Sequence, residues 1–69
     1  MKYRKILELF AESRDLDLGI LNGEWCLLNF DLHYRHPIPL SLYREIVGTY
    51  ENHGEEAFDN IDLLEWRLF

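Results

Sequence analysis

Two runs of alternating apolar and polar residues flank the dipeptide Asn22-Gly23, and no other feature constrains the fold as much. On one side Leu16, Leu18 and Ile20 alternate with Asp15, Asp17 and Gly19. On the other, Cys26, Leu28, Phe30, Leu32 and Tyr34 alternate with Asn29, Asp31 and His33 over eleven residues. A period of two sends successive side chains to opposite faces of a strand, and Asn-Gly supplies the backbone freedom of a tight turn, so the pattern predicts a β-hairpin. Two registers compete. A two-residue turn at Asn22-Gly23 pairs Ile20 with Trp25 and Leu18 with Leu27, which puts Asp17 and Gly19 on the Cys26/Leu28 face. A three-residue loop, Leu21-Asn22-Gly23 with a left-handed Gly23, pairs Ile20 with Glu24 and Leu18 with Cys26. The second gathers Leu16, Leu18, Ile20, Cys26, Leu28 and Phe30 on one face and is the expectation here. It leaves Trp25 and Leu27 on the opposite face.

Helical periodicity brackets the hairpin. Tyr3, Ile6, Leu7 and Phe10 share one face over residues 2–13, with Arg4, Lys5, Glu8 and Glu12 opposite, which predicts an amphipathic helix. Glu8 can pair with Arg4 or Lys5 on its surface. Arg35-His36-Pro37-Ile38-Pro39 ends the second strand, because proline cannot donate to a ladder. A second helix is expected over about 40–52, with Leu42, Tyr43, Ile46, Val47 and Tyr50 inward, Pro39 at its start and Gly54 as its cap. Gly48 costs this helix about 1 kcal/mol relative to alanine, which marks a close approach to a neighbour. From Glu55 to Phe69 a helix aligns Ala57, Ile61, Leu64 and Leu68, whereas a strand would put Glu65 and Arg67 with the apolar residues. A third helix is the expectation, with a strand as its alternative. The predicted fold is a small α+β domain spanning residues 1–69, an N-terminal helix, an antiparallel hairpin and two C-terminal helices in the order α-β-β-α-α.

Sixty-nine residues, 48% of them apolar and 29% charged, suit one soluble globular domain. Such a chain buries only about 60% of its unfolded surface, which excludes a doubly wound nucleotide-binding fold or a barrel. The single cysteine, Cys26, closes no internal disulfide and reads as a small buried hydrophobe. No apolar run is long enough to span a bilayer. Met1-Lys2-Tyr3-Arg4-Lys5 is basic, but Glu8 and Glu12 interrupt the apolar stretch that a signal peptide needs, so a cytoplasmic protein is expected.

Catalytic and metal chemistry find little footing. His33, His36, His53 and Cys26 form no Cys-x-x-Cys or His-x-x-x-His pair, and the four glycines are dispersed instead of forming a phosphate loop. Ser13 and Ser41 lack a nucleophile signature, and a usual pocket of about 300 Å³ is hard to build in so short a chain. The expectation is a non-enzyme without metal or cofactor.

Charge is the more telling property. Thirteen acids against seven bases give a net charge of −6, and four of the bases lie in the first fourteen positions. From Asp15 onward eleven acids face three bases, a local net of −8, and between Glu51 and Glu65 there are six acids and no lysine or arginine. Such a field repels nucleic acid and attracts a basic protein. On a C-terminal helix Glu55, Asp59 and Asp62 would form a row, with neighbours about 5–6 Å apart, a spacing like that of strand phosphates. Glu51, Glu56 and Glu65 would flank it, and Phe58 and Trp66 would point to the same side as aromatic anchors. A solvated face that keeps the domain soluble is the plainer reading.

In size and charge, though in no motif, the chain resembles the small acidic inhibitors that bacteriophages encode, among them anti-CRISPR proteins and DNA mimics. That resemblance transfers no residue role. It implies an inhibitor or regulator that covers a basic nucleic-acid-binding surface, with Glu51, Glu55, Glu56, Asp59, Asp62, Glu65, Phe58 and Trp66 as the partner-binding set. The alternative is a structural or accessory subunit that uses an apolar hairpin face or the Trp25/Leu27 patch, including as a homodimer.

Overall fold

The computed structural model describes residues 3–66. Helix α1 (Arg4–Ser13) leads into strands β1 (Asp17–Leu21), β2 (Glu24–Asn29) and β3 (Tyr34–Pro37). Helix α2 (Leu40–His53) follows, then two 3-10 segments, Glu55–Asn60 and Leu63–Trp66. The three strands form one antiparallel sheet in the order β1-β2-β3. The protein is therefore a small α+β domain with the helix, hairpin and helices in the expected order. Four details differ.

The hairpin takes the two-residue turn instead of the bulged loop. Asn22 and Gly23 both have positive φ, 53° and 82°, which is the backbone of a type I′ turn whose twist matches that of the strands. Leu21 accordingly pairs with Glu24, Ile20 with Trp25, Leu18 with Leu27, Gly19 with Cys26 and Asp17 with Leu28. Turn geometry outweighs the apolar alignment because Gly19 and Asp17 are tolerated beside Leu28. The Leu28 side chain lies over Gly19, where an added Cβ would come within 2.6 Å of Leu28 Cδ1.

The eleven-residue alternating run is two strands, not one. Between β2 and β3 the chain reverses through Phe30-Asp31-Leu32-His33. The Leu32 N–H donates to Asn29 Oδ1 at 3.1 Å and the His33 N–H to the Phe30 carbonyl at 3.2 Å. His33 adopts φ 52°, a left-handed conformation that Asn, Asp and His enter more readily than other side chains. Phe30 and Leu32, read as inward strand residues, are 75% and 73% exposed. β3 then pairs His36 with Leu27 and Arg35 with Leu28, and Pro37 closes the strand on the edge of the sheet.

The C-terminal third helix is replaced by the 3-10 segments. Three residues per turn bring i and i+3 onto one side, so Phe58 and Ile61 turn inward, at 0% and 4% exposure. The Ala57/Ile61/Leu64 stripe of an α-helix does not form: Ala57 is half-buried and Leu64 is 70% exposed. Leu68 lies outside the described residues.

The core lies between the helices and one face of the sheet. Ile6, Leu7, Phe10 and Ala11 of α1 meet Leu42, Ile46 and Val47 of α2, with Leu27, Ile38, Phe58 and Ile61. α1 ends in a Schellman motif: the Leu16 N–H donates to the Ala11 carbonyl at 2.9 Å and that of Asp15 to Glu12 at 3.1 Å. Asp15 holds the left-handed position at φ 56°. Pro39 precedes α2, and Gly54, φ 83°, caps it. Gly48 does not mark a close approach, since nothing lies within 4 Å of its missing Cβ. Gly48→Ala is therefore expected to stabilise the domain by about 0.5–1 kcal/mol. Thermal unfolding followed by circular dichroism should show a Tm a few degrees higher.

Candidate functional site

The acidic surface belongs to the segment that runs from the end of α2 through both 3-10 segments. Glu51, Glu55, Glu56, Asp59, Asp62 and Glu65 are all exposed. Among the described residues the ion pair is Arg4–Glu8, at 3.4 Å on α1, so neither Arg35 nor Arg44 neutralises any of these six. Glu55 and Glu56 occupy the first turn of the first 3-10 segment, where free backbone N–H groups favour negative charge.

The regular row Glu55-Asp59-Asp62 is not formed, because it requires 3.6 residues per turn. In 3-10 geometry Glu56 and Asp59 share a side instead. Ile61 is extended, with φ −87° and ψ 116°, and sets Asp62 beyond the end of the segment. Asp62 also has local work: its Oδ1 accepts the Leu64 N–H at 3.0 Å and caps the second 3-10 segment.

The two aromatic residues separate. Phe58 was expected outside but is fully buried. Its ring meets Phe10 edge-on, centroids 5.2 Å apart, and stacks on Tyr50 at 6.0 Å. It cannot serve as an anchor for a partner. Trp66 is half-buried and packs against the core. One side of it borders a groove of about 390 Å³ lined by Glu45, Asn60, Ile61, Asp62, Glu65 and Trp66. An aromatic wall with three carboxylates and, among the described residues, no lining cation suits a lysine or arginine side chain, by charge attraction and by cation–π contact. Glu45 is exposed on α2, outside its apolar stripe. Only tertiary packing brings it beside Asp62 and Glu65, and no local pattern signals it.

Arg14 was another residue that local pattern could not place. Its guanidinium reaches from the end of α1 to the first 3-10 segment, donating to the Phe58 carbonyl at 2.6 Å and to the Ile61 carbonyl. It also lies over the Phe10 ring, 5.1 Å from the centroid. One cation thus fixes the segment that displays the acids. His36, buried at 6% exposure, does a related task, with Nδ1 2.8 Å from the Pro37 carbonyl and Nε2 3.2 Å from that of Leu63. Cys26 is buried and free, and His33 and His53 are exposed. No group of three or more His, Cys, Asp or Glu is placed to hold a metal ion among the described residues. No helix among them is long and apolar enough to cross a membrane.

No family model matches the chain, nor does any curated protein or solved structure.

Replacing Arg14 by methionine keeps much of the stem over Phe10 but leaves the Ile61 carbonyl without its donor. A loss of about 1–3 kcal/mol is expected, read as a lower urea midpoint, with the C-terminal amides exchanging fastest.

Proposed function

We propose that this chain is a cytoplasmic, non-enzymatic acidic protein that inhibits or regulates a partner by covering its basic, nucleic-acid-binding surface. Phage-encoded anti-CRISPR proteins and DNA mimics are the kind of protein it would stand beside. The observation that carries this reading is the run of six exposed carboxylates from Glu51 to Glu65 with no ion-pair partner among the described residues. Unpaired charge of one sign along one exposed stretch of chain steers an oppositely charged partner and repels nucleic acid itself. The irregular spacing favours a general acidic field over a phosphate-by-phosphate replica.

Within that field the groove beside Trp66 supplies the anchoring point. A partner's basic side chain entering it would meet Glu45, Asp62 and Glu65, while Glu51, Glu55, Glu56 and Asp59 act at longer range. Attraction of this kind raises the association rate more than the bare affinity and weakens as salt shortens the screening length to about 8 Å at physiological strength.

The test is a triple reversal, Glu51→Lys/Glu56→Lys/Asp59→Lys, which leaves the Asp62 cap and the Trp66 groove in place. Immobilised wild-type chain should retain a nucleic-acid-binding protein at low salt and release it at high salt. Added wild-type chain should abolish that protein's gel shift with its nucleic acid. The triple variant should do neither. Equal retention and equal gel-shift inhibition by the two chains would overturn the proposal.

A further inference from the structure

One face of the sheet has no helix on it. Leu18, Leu27, His36 and Ile38 face the helices, whereas Cys26 and Leu28 lie on the other face, buried at 5% and 9% exposure but outside the cluster that Leu27 and Ile38 share with the helices. Cys26 and Leu28 form the floor of that face, and Asp17, Glu24, Phe30 and Arg35 are its exposed groups. Its rows follow from the strand register. Asp17, Leu28 and Arg35 cross the three strands side by side; Gly19, Cys26 and Pro37 form the next row; Leu21 and Glu24 the third. Phe30, 75% exposed, continues the line of Cys26 and Leu28 beyond the end of β2. A shallow depression of about 540 Å³ runs over the face, bordered by Leu21, Leu28, Phe30 and Arg35.

We infer that this face binds the same face of a second copy of the chain, with the two-fold axis lying in the interface along β2. The register carries the choice of occupant. Rotation about that axis exchanges the β1 and β3 sides while keeping each row at its own height. Asp17 of one protomer then opposes Arg35 of the other, twice, while exposed Phe30 and the floor formed by Leu28 and Cys26 face their own copies across the axis. Asp17 and Arg35 are both exposed, and neither has an ion-pair partner among the described residues. An axis across the strands would instead set Asp17 on Leu21 and Leu28 on Glu24, charge against apolar surface. Sheets packed face to face lie about 10 Å apart at a small angle, within reach of such pairs. A self-complementary surface of this kind is what an isologous dimer requires. This pairing goes beyond the proposed inhibitory role and does not depend on it, because none of its residues belongs to the acidic segment.

The test uses Asp17→Arg and Arg35→Glu, exposed positions where the fold, checked by circular dichroism, is preserved. Sedimentation equilibrium of the wild-type chain should give twice the chain mass. Each variant alone sets like charges opposite one another and should raise the dimer dissociation constant by about tenfold or more. An equimolar mixture of the two variants should restore a dimer of wild-type strength, since every opposing pair is then of unlike charge. An intramolecular effect of either substitution would not be repaired by mixing. A wild-type chain that stays monomeric at millimolar concentration overturns the inference, and so does a dimer that neither variant weakens or that mixing fails to restore.

Discussion

The tie between the end of α1 and the first 3-10 segment holds the remainder of the molecule in place. Phe10 and Phe58 are both fully buried and meet edge-on, and Arg14, one turn after Phe10, donates to the carbonyls that the 3-10 segment presents. A 3-10 segment has poorer internal hydrogen bonds than an α-helix. Its carbonyls benefit from a charged donor, and a charge-assisted bond is about twice as strong as a neutral one. In a chain this small a few such contacts decide whether the C-terminal third is structure or tail, because a core of this size rarely supplies more than about 3–5 kcal/mol.

The sheet is a second, looser layer. Its helix-facing side is closed by Leu27 and Ile38, and the turn types fix what the other side carries. The type I′ turn at Asn22-Gly23 puts Asp17 level with Leu28, and the reversal at Phe30–His33 brings Arg35 to the same level. Opposite charges thus flank an apolar centre by virtue of register alone. The acidic segment and this sheet face are made from different elements, so the two surfaces can act independently.

Much of the architecture was readable from the chain because it rests on local physics. The apolar stripes of α1 and α2, Pro39 at one helix start and Gly54 at its end, and the Asn-Gly turn are short-range signals, and the elements form where they predict. The errors share a cause. Phe30 and Leu32 alternate like strand residues, yet the Asn29 side chain turns the chain beneath them, and apolar character concealed the turn. Phe58 and Ile61 are three apart, a spacing compatible with either helix type. The partner that selects the tighter one, Arg14, is 44 residues from Phe58. The register follows the backbone preference of two residues, Asn22 and Gly23, over a uniform apolar face.

By itself the amino-acid order determined that α1 and α2 are helical, where the hairpin turns, and that the last third carries a net negative charge. Each of these depends on neighbours within one or two turns of chain. Only the folded molecule decided that Phe58 lies inside, that Glu45 joins Asp62 and Glu65 beside Trp66, and which residues the open sheet face displays. Those outcomes depend on contacts between residues far apart in sequence. Such contacts are selected by the closing of one shared core and leave no periodic trace along the chain.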